Sequence, residues 1–187
     1  MKVVGIVGSP RIGGNTEQLT QEALRIIGEK GIDTELVRLA EKSILPCTGC
    51  GACESEETCP LDDDLLPLYH RLKEASGIIL ASPVYFGSAS PQLKAFMDRA
   101  GYISYNNGHT FARKAGGPLV VAGRNGGNFT NAQLILWFMI LGMIVPGSND
   151  WNSAFGSEPG DIWEDTSGID TGRVFAENLA WLVTKLG

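Results

Sequence analysis

The chain has 187 residues, 43% of them hydrophobic and 19% charged, with a net charge of −6. That is the size and composition of one soluble globular domain, and it is large enough to bury a core without disulfides. The acidic balance and the lack of a basic run argue against a nucleic-acid partner, because a phosphate backbone demands clustered Lys and Arg.

The chain opens with Lys2–Gly8, a nearly continuous Val/Ile run ending in glycine. This is the look of a parallel strand buried on both faces. The opening residues are too glycine-rich for a signal peptide, so the expected location is cytoplasmic. Asn15–Gly28 follows, with Leu19, Ala23, Leu24 and Ile27 at helical spacing and Asn15 as the expected cap. Thr34–Leu39 reads as a second strand and Leu65–Ala75 as a second helix. Gly77–Ser82 is a third strand, and Ser90-Pro91 opens a helix running to about Ala100, Ser as cap and Pro in the first turn. Pro118–Ala122 is a fourth strand, Thr130–Leu141 a fourth helix and Met143–Val145 a short fifth strand. Residues 147–170 read as irregular and Thr171–Leu186 as the closing helix. The apolar run 134–145 is shorter than the roughly 20 residues that span a bilayer, so no membrane partner is expected.

Strands alternating with helices predict an α/β fold with a parallel sheet covered on both faces. Five strands fit the flavodoxin-like order 2-1-3-4-5, a three-layer sandwich over residues 1–187 as a single domain. Such sheets bind ligands beyond the carboxyl ends of their strands, which directs attention to the loops there.

After strand 1 stands Gly8-Ser9-Pro10-Arg11-Ile12-Gly13-Gly14-Asn15-Thr16, leading into a helix. Unpaired N–H groups and the helix dipole favour an anion at such a place. Ser9, Asn15 and Thr16 add polar side chains and Arg11 a charge. The loop lacks the Lys-Ser/Thr pair of a Walker loop and is not G-x-G-x-x-G, so a terminal monophosphate suits it best. After strand 3 comes 82-SPVYFGSASP-91, where Tyr85 and Phe86 can face a flat heteroaromatic ring. After strand 4 comes 122-AGRNGGN-128, whose glycines permit close approach of backbone to a ring.

These three loops together resemble the NADPH-dependent FMN reductase branch of the flavodoxin-like superfamily. The resemblance covers nearly the whole chain, 147–170 being least clear. It implies FMN, with the phosphate on Ser9, Arg11, Asn15 and Thr16, and with Gly13 and Gly14 also among the cofactor-binding residues. The isoalloxazine would lie against Pro83, Val84, Tyr85, Phe86 and Gly87, with Gly123, Arg124 and Gly126 near its far edge. It also implies NAD(P)H as an electron donor. One departure is Asn128-Phe129, which stands where many members carry a Gln-Glu pair.

All four cysteines, Cys47, Cys50, Cys53 and Cys59, lie in one loop with the spacing C-x2-C-x2-C-x5-C followed by Pro60. Disulfides are rare in the cytoplasm, so the cluster suggests metal or redox chemistry. Compact thiolate runs of this kind hold iron–sulfur clusters. Zinc is an alternative, although its knuckles are usually two separated C-x2-C pairs. A thiol redox loop and a loop that binds nothing are the others. The spacing resembles the iron–sulfur flavoprotein subgroup of the same branch, which implies a [4Fe–4S] cluster beside FMN. It further implies electron exchange with a small-molecule or ferredoxin-type donor or acceptor. Because the flavin supplies the chemistry, no catalytic acid or base is expected. His70, His109, Arg113 and Lys114 read as packing or surface residues, and Asp62–Asp64 as helix-capping acids. The helix at 130–141, apolar nearly all round, together with Trp137, Trp151 and Trp163, predicts a homodimer or homotetramer. The acidic stretch 158–170 reads as a lid or subunit contact.

Overall fold

The structure is a computed structural model describing residues 1–187. Its five strands are β1 (Lys2–Val7), β2 (Asp33–Arg38), β3 (Gly77–Pro83), β4 (Ala115–Ala122) and β5 (Ser153–Phe155). They form one parallel sheet in the order β2-β1-β3-β4-β5. The expected flavodoxin-like arrangement therefore holds. Strands β3 and β4 are buried almost along their whole length, which is why their sequences read as apolar runs rather than as alternations.

The helices are α1 (Asn15–Glu29), α2 (Leu65–Glu74), α3 (Pro91–Asn106), α4 (Gly127–Ile140) and α5 (Thr166–Leu186). Two separate cores show how they are layered. Helices α2, α3 and α4 pack with Val4, Ile6, Ile78 and Leu80 on one face of the sheet. Helices α1 and α5 pack with Val3, Ile79, Leu119 and Val121 on the other. No helix is long and apolar enough to cross a membrane.

Several expectations need correction. The fifth strand is Ser153–Phe155, not Met143–Val145. Ile144 makes only a single bridge to Ala115 at the start of β4. Pro146 has no N–H to continue that pairing, and β5 takes over the edge further along, opposite Val120–Ala122. Asn15 does not cap α1; Gly14 holds that position and the Asn15 side chain is used elsewhere. Ser90, by contrast, caps α3 as expected: its hydroxyl accepts from Leu93 N (3.4 Å) and donates to Gly8 O (2.6 Å). That bond ties the end of β1 to the start of α3. Helix α3 continues past Ala100 to Asn106, and α5 begins at Thr166, before the expected Thr171.

Trp137 is a core residue and not part of an exposed surface; its Nε1 donates to Met97 O at 2.8 Å. Helix α4 buries Leu134, Trp137 and Phe138 and leaves Phe129, Leu136, Met139 and Ile140 exposed.

Candidate functional site

A cavity of about 390 Å³ opens at the carboxyl ends of β1, β3 and β4. The β1–α1 loop forms its first wall through Ser9, Arg11, Gly14, Asn15 and Thr16. Gly14 N bonds to Arg11 O and Gln18 N is the first to bond back, to Gly14 O. The N–H groups of Asn15, Thr16 and Glu17 thus have no partner within the chain. Three orphan donors at a helix start, with Arg11 as the only basic and Glu158 the only acidic side chain in the lining, are groups that suit an anion.

The polar side chains of the loop have other duties. The Ser9 hydroxyl accepts from Arg11 N (3.1 Å) and donates to Arg11 O (3.3 Å), fixing the turn. Gly13 N donates to a Glu17 carboxylate oxygen (2.8 Å), and Arg38 donates to the other (2.7 Å). The Arg38 hydrogen bond is the main reason the buried Glu17 carboxyl lies below the usual carboxylate range, against the cost of its burial. Arg38 also cancels a negative charge that would otherwise oppose an anion here.

The second wall is the β3–α3 loop, with Pro83, Val84 and Tyr85 in the lining. Tyr85 N donates to Ser88 O (2.9 Å) and Ser88 N to Tyr85 O (3.0 Å), closing a two-residue turn around Phe86 and Gly87. Both central residues have positive φ, +50° and +75°, the geometry of a tight hairpin. A bulky residue there is strained, yet Phe86 stands fully exposed beside the cavity mouth. Gln133 of α4 accepts from Ser88 Oγ (3.0 Å) and Ala89 N (2.8 Å), so the turn is anchored to α4. Phe86, Gly87, Arg124 and Gly126 lie outside the lining itself, as does Gly13, whereas Gly123 is part of it.

The third wall was anticipated only as a lid or subunit contact beginning at residue 158. Val121, Gly156, Ser157, Glu158 and Pro159 complete the lining. The segment after β5 is strapped over the cradle: Asn15 Nδ2 donates to Glu158 O (2.8 Å) and Asn15 Oδ1 accepts from Gly160 N (2.8 Å). Arg11 Nη1 donates to Ser157 O (3.2 Å), and Trp163 Nε1 to Gln18 Oε1 (2.6 Å). A Cβ on Gly156 would lie 2.6 Å from Asn15 Nδ2, so the strap can approach only without a side chain. The acidic stretch therefore begins as part of the site.

A second cavity, of about 340 Å³, is lined by all four thiols together with Arg99, Tyr102 and Ile103 of α3. Cys47 and Cys50 are exposed, while Cys53 and Cys59 are partly buried against the α2–α3 core. Gly49 and Gly51 have φ of +67° and +76°, which lets the loop turn between thiols. Asn107 Nδ2 donates to Cys53 O (3.0 Å), pinning the loop to the end of α3. Burial pushes the Cys53 thiol up. No three His, Cys, Asp or Glu side chains are drawn together around one ion position. Zinc needs four ligands on a single ion, whereas each thiolate of a cubane binds its own iron, so the set surrounds a larger object. All four thiols line one common cavity.

Neither histidine lines either cavity. Lys114 Nζ donates to Lys73 O (2.8 Å) and Ala75 O (2.6 Å), closing the end of α2, and its burial lowers its pKa. Asp63 is not a simple capping acid; it is buried and paired with Arg99.

A parallel five-stranded sheet in this order, with a glycine-rich loop after β1 and an aromatic turn after β3 beside one strand-end cavity, is the arrangement of the flavodoxin-like fold. The comparisons agree. Among solved structures, RosB with a bound riboflavin-phosphate intermediate superposes with a TM-score of 0.79 at 19% identity, over 100% of this chain and 80% of that one. A flavodoxin from the domain Archaea gives 0.67 at 15%, over 98% and 99%. The family model for NADPH-dependent FMN reductase matches residues 1–158. The chain is 45% identical to an iron-sulfur flavoprotein of Methanocaldococcus jannaschii, covering 98% of this chain and 97% of that protein. It is 39% identical to the iron-sulfur flavoprotein of Methanosarcina thermophila, covering 96% and 93%.

This chain belongs to the NADPH-dependent FMN reductase family. It is an FMN-dependent oxidoreductase.

Proposed function

We propose that the protein passes electrons between one- and two-electron carriers through FMN in the strand-end cavity and a [4Fe–4S] cluster in the thiol cavity. The observation that carries this reading is the second cavity: all four cysteines of the chain line it, in a fold whose first cavity suits a flavin monophosphate. The names of the relatives support it. The flavin supplies two-electron hydride chemistry and the cluster single-electron transfer.

The chain's own residues bind, orient and shield. The N–H groups of Asn15, Thr16 and Glu17, with Arg11, hold the phosphate, and Ser9, Gly13 and Gly14 shape the loop that presents them. Pro83, Val84 and Tyr85 support the ring, and Phe86 and Gly87 offer unpaired N–H groups at the turn. Gly123, Arg124 and Gly126 border its far edge. The strap at 156–159 excludes water from the phosphate side. Cys47, Cys50, Cys53 and Cys59 are the cluster ligands. Residues 1–187 act as one domain, and the exposed face of α4 supports assembly as a homodimer or homotetramer.

The donor is NAD(P)H or a ferredoxin-type protein, and Cys53→Ser separates the two routes. In anaerobic stopped flow, this variant keeps FMN and its reduction by NAD(P)H. Flavin reduction by a one-electron donor slows roughly tenfold or more, and the iron–sulfur absorbance is lost. Unchanged absorbance and an unchanged one-electron rate would remove the cluster from the reading. The remaining reading is then a cluster-free NAD(P)H-dependent FMN or quinone reductase.

A further inference from the structure

Arg99 is 2% exposed and sits in the wall of the thiol cavity. Its guanidinium makes four contacts. Nη2 donates to Cys59 Sγ (3.0 Å) and to Asp63 Oδ1 (3.1 Å). Nη1 donates to Leu45 O (3.0 Å) and forms a very short bond to Asp63 Oδ2. The Asp63 carboxylate in turn accepts from Leu45 N (2.8 Å) and Leu65 N (3.1 Å). Leu45 lies two residues before Cys47, and Cys59 is the last thiol. One side chain of α3 therefore grips the cysteine loop at both ends.

A buried cation carries a heavy desolvation cost and persists only when paired; both terminal nitrogens of Arg99 are bonded, while its Nε has no partner. Asp63 answers the charge. It does not explain why one donor is turned to a sulfur. A planar fork that meets a carboxylate on one side and a carbonyl and a sulfur on the others is something Arg can form and Lys cannot.

We propose that Arg99 is the positioning residue of the cluster site. It holds the Leu45 and Cys59 ends of the loop at the spacing at which the four thiols share one cavity. Its N–H bond to Cys59 Sγ stabilises the added negative charge of the reduced cluster and raises the reduction potential, since hydrogen bonds to sulfur and local charge are among the levers on that potential. The inference rests on the cluster reading above.

The test uses holoprotein purified without oxygen, with FMN content as the measure of intact folding. The readouts are the cluster midpoint from an EPR-monitored redox titration and the rate of iron loss to a chelator. Arg99→Gln moves the midpoint to more negative potential, changing the reduced-to-oxidised ratio at fixed potential by roughly tenfold, the scale of one charge-assisted hydrogen bond. It also releases iron faster. Arg99→Lys, which keeps the charge, falls between Gln and wild type. Asp63→Asn, which leaves the cation uncompensated, moves the midpoint the opposite way. Opposite shifts are not expected of a pair that only holds the fold together. If Arg99→Gln does not retain FMN, Arg99→Lys and Asp63→Asn decide. Wild-type midpoints and iron-loss rates in the folded variants overturn the inference. A wild-type protein that holds FMN but no iron or sulfide overturns the cluster reading first.

Discussion

At Gly156, a single missing Cβ decides whether the cavity has its third wall. The strap closes because its backbone comes within side-chain distance of the Asn15 amide, and Asn15 then bonds both Glu158 O and Gly160 N. Gly156→Ala must push Asn15 or the strap aside. Overpacking of this kind costs about 1–3 kcal/mol, and the strap is the part free to give way. The variant should stay folded and hold FMN roughly tenfold more weakly, measured by equilibrium dialysis or flavin fluorescence. Wild-type flavin affinity in a folded Gly156→Ala protein would contradict the strap's role. None of this was legible in the sequence. Asn15 was read as a helix cap and anion donor because those are its common local uses, whereas its partners lie more than 140 residues away. Arg11, Gly14 and Thr16 were readable because a helix start advertises its orphan donors locally. The Arg99–Asp63 pair was missed for the same reason as the strap: Asp62–Asp64 read as helix-capping acids and Arg99 as nothing in particular until the fold brings Asp63 and Arg99 together.

The elements differ in how openly the sequence announces them. Strands β1, β3 and β4 are buried on both faces, so their apolar runs stand out. Strand β5 is three residues long and has one buried side chain, Ala154, which leaves almost no pattern to read. The stretch 143–145 was the better apolar run and took its place; Met143 is buried, but as core packing under β4 rather than as ladder. Between elements, α1 and α5 are linked by Glu22 of α1, which bonds Arg25 (2.8 Å) on its own helix and Arg173 (2.8 Å) on α5. The Arg25 bond, reinforced by Arg173 and opposed by burial, lowers the Glu22 carboxyl from the usual 4.5 to about 2. A folded-state value below the unfolded one means the stabilisation is complete above about 4.5 and drains away as pH falls toward about 2. Glu22→Gln should lower stability near neutral pH by on the order of 2 kcal/mol and flatten its fall across that acid window. Urea unfolding at stepped pH is the check, and equal slopes for variant and wild type would rule out this linkage.

At the scale of the whole molecule, helix α3 is what relates the two cavities. Its cap, Ser90, bonds Gly8 at the end of β1, where the phosphate loop begins. Arg99, Tyr102 and Ile103 further along it line the thiol cavity. From Ser90 to Arg99 the helix advances about 14 Å, so one rigid element sets the spacing of flavin side and thiol side. The overall order of the sheet was legible in advance because strand–helix alternation and right-handed crossovers leave few topologies. The packing of the cysteine loop against α3 was not legible, since it depends on side chains of α3 that face the loop only once the helix is docked.

The central claim is that one chain carries both a flavin and an iron–sulfur cluster. Total FMN, iron, acid-labile sulfide and zinc per chain, on protein prepared without oxygen, test it directly. The account predicts about one FMN, four irons and four sulfides per chain with no zinc. FMN without iron or sulfide, or zinc in their place, would contradict it.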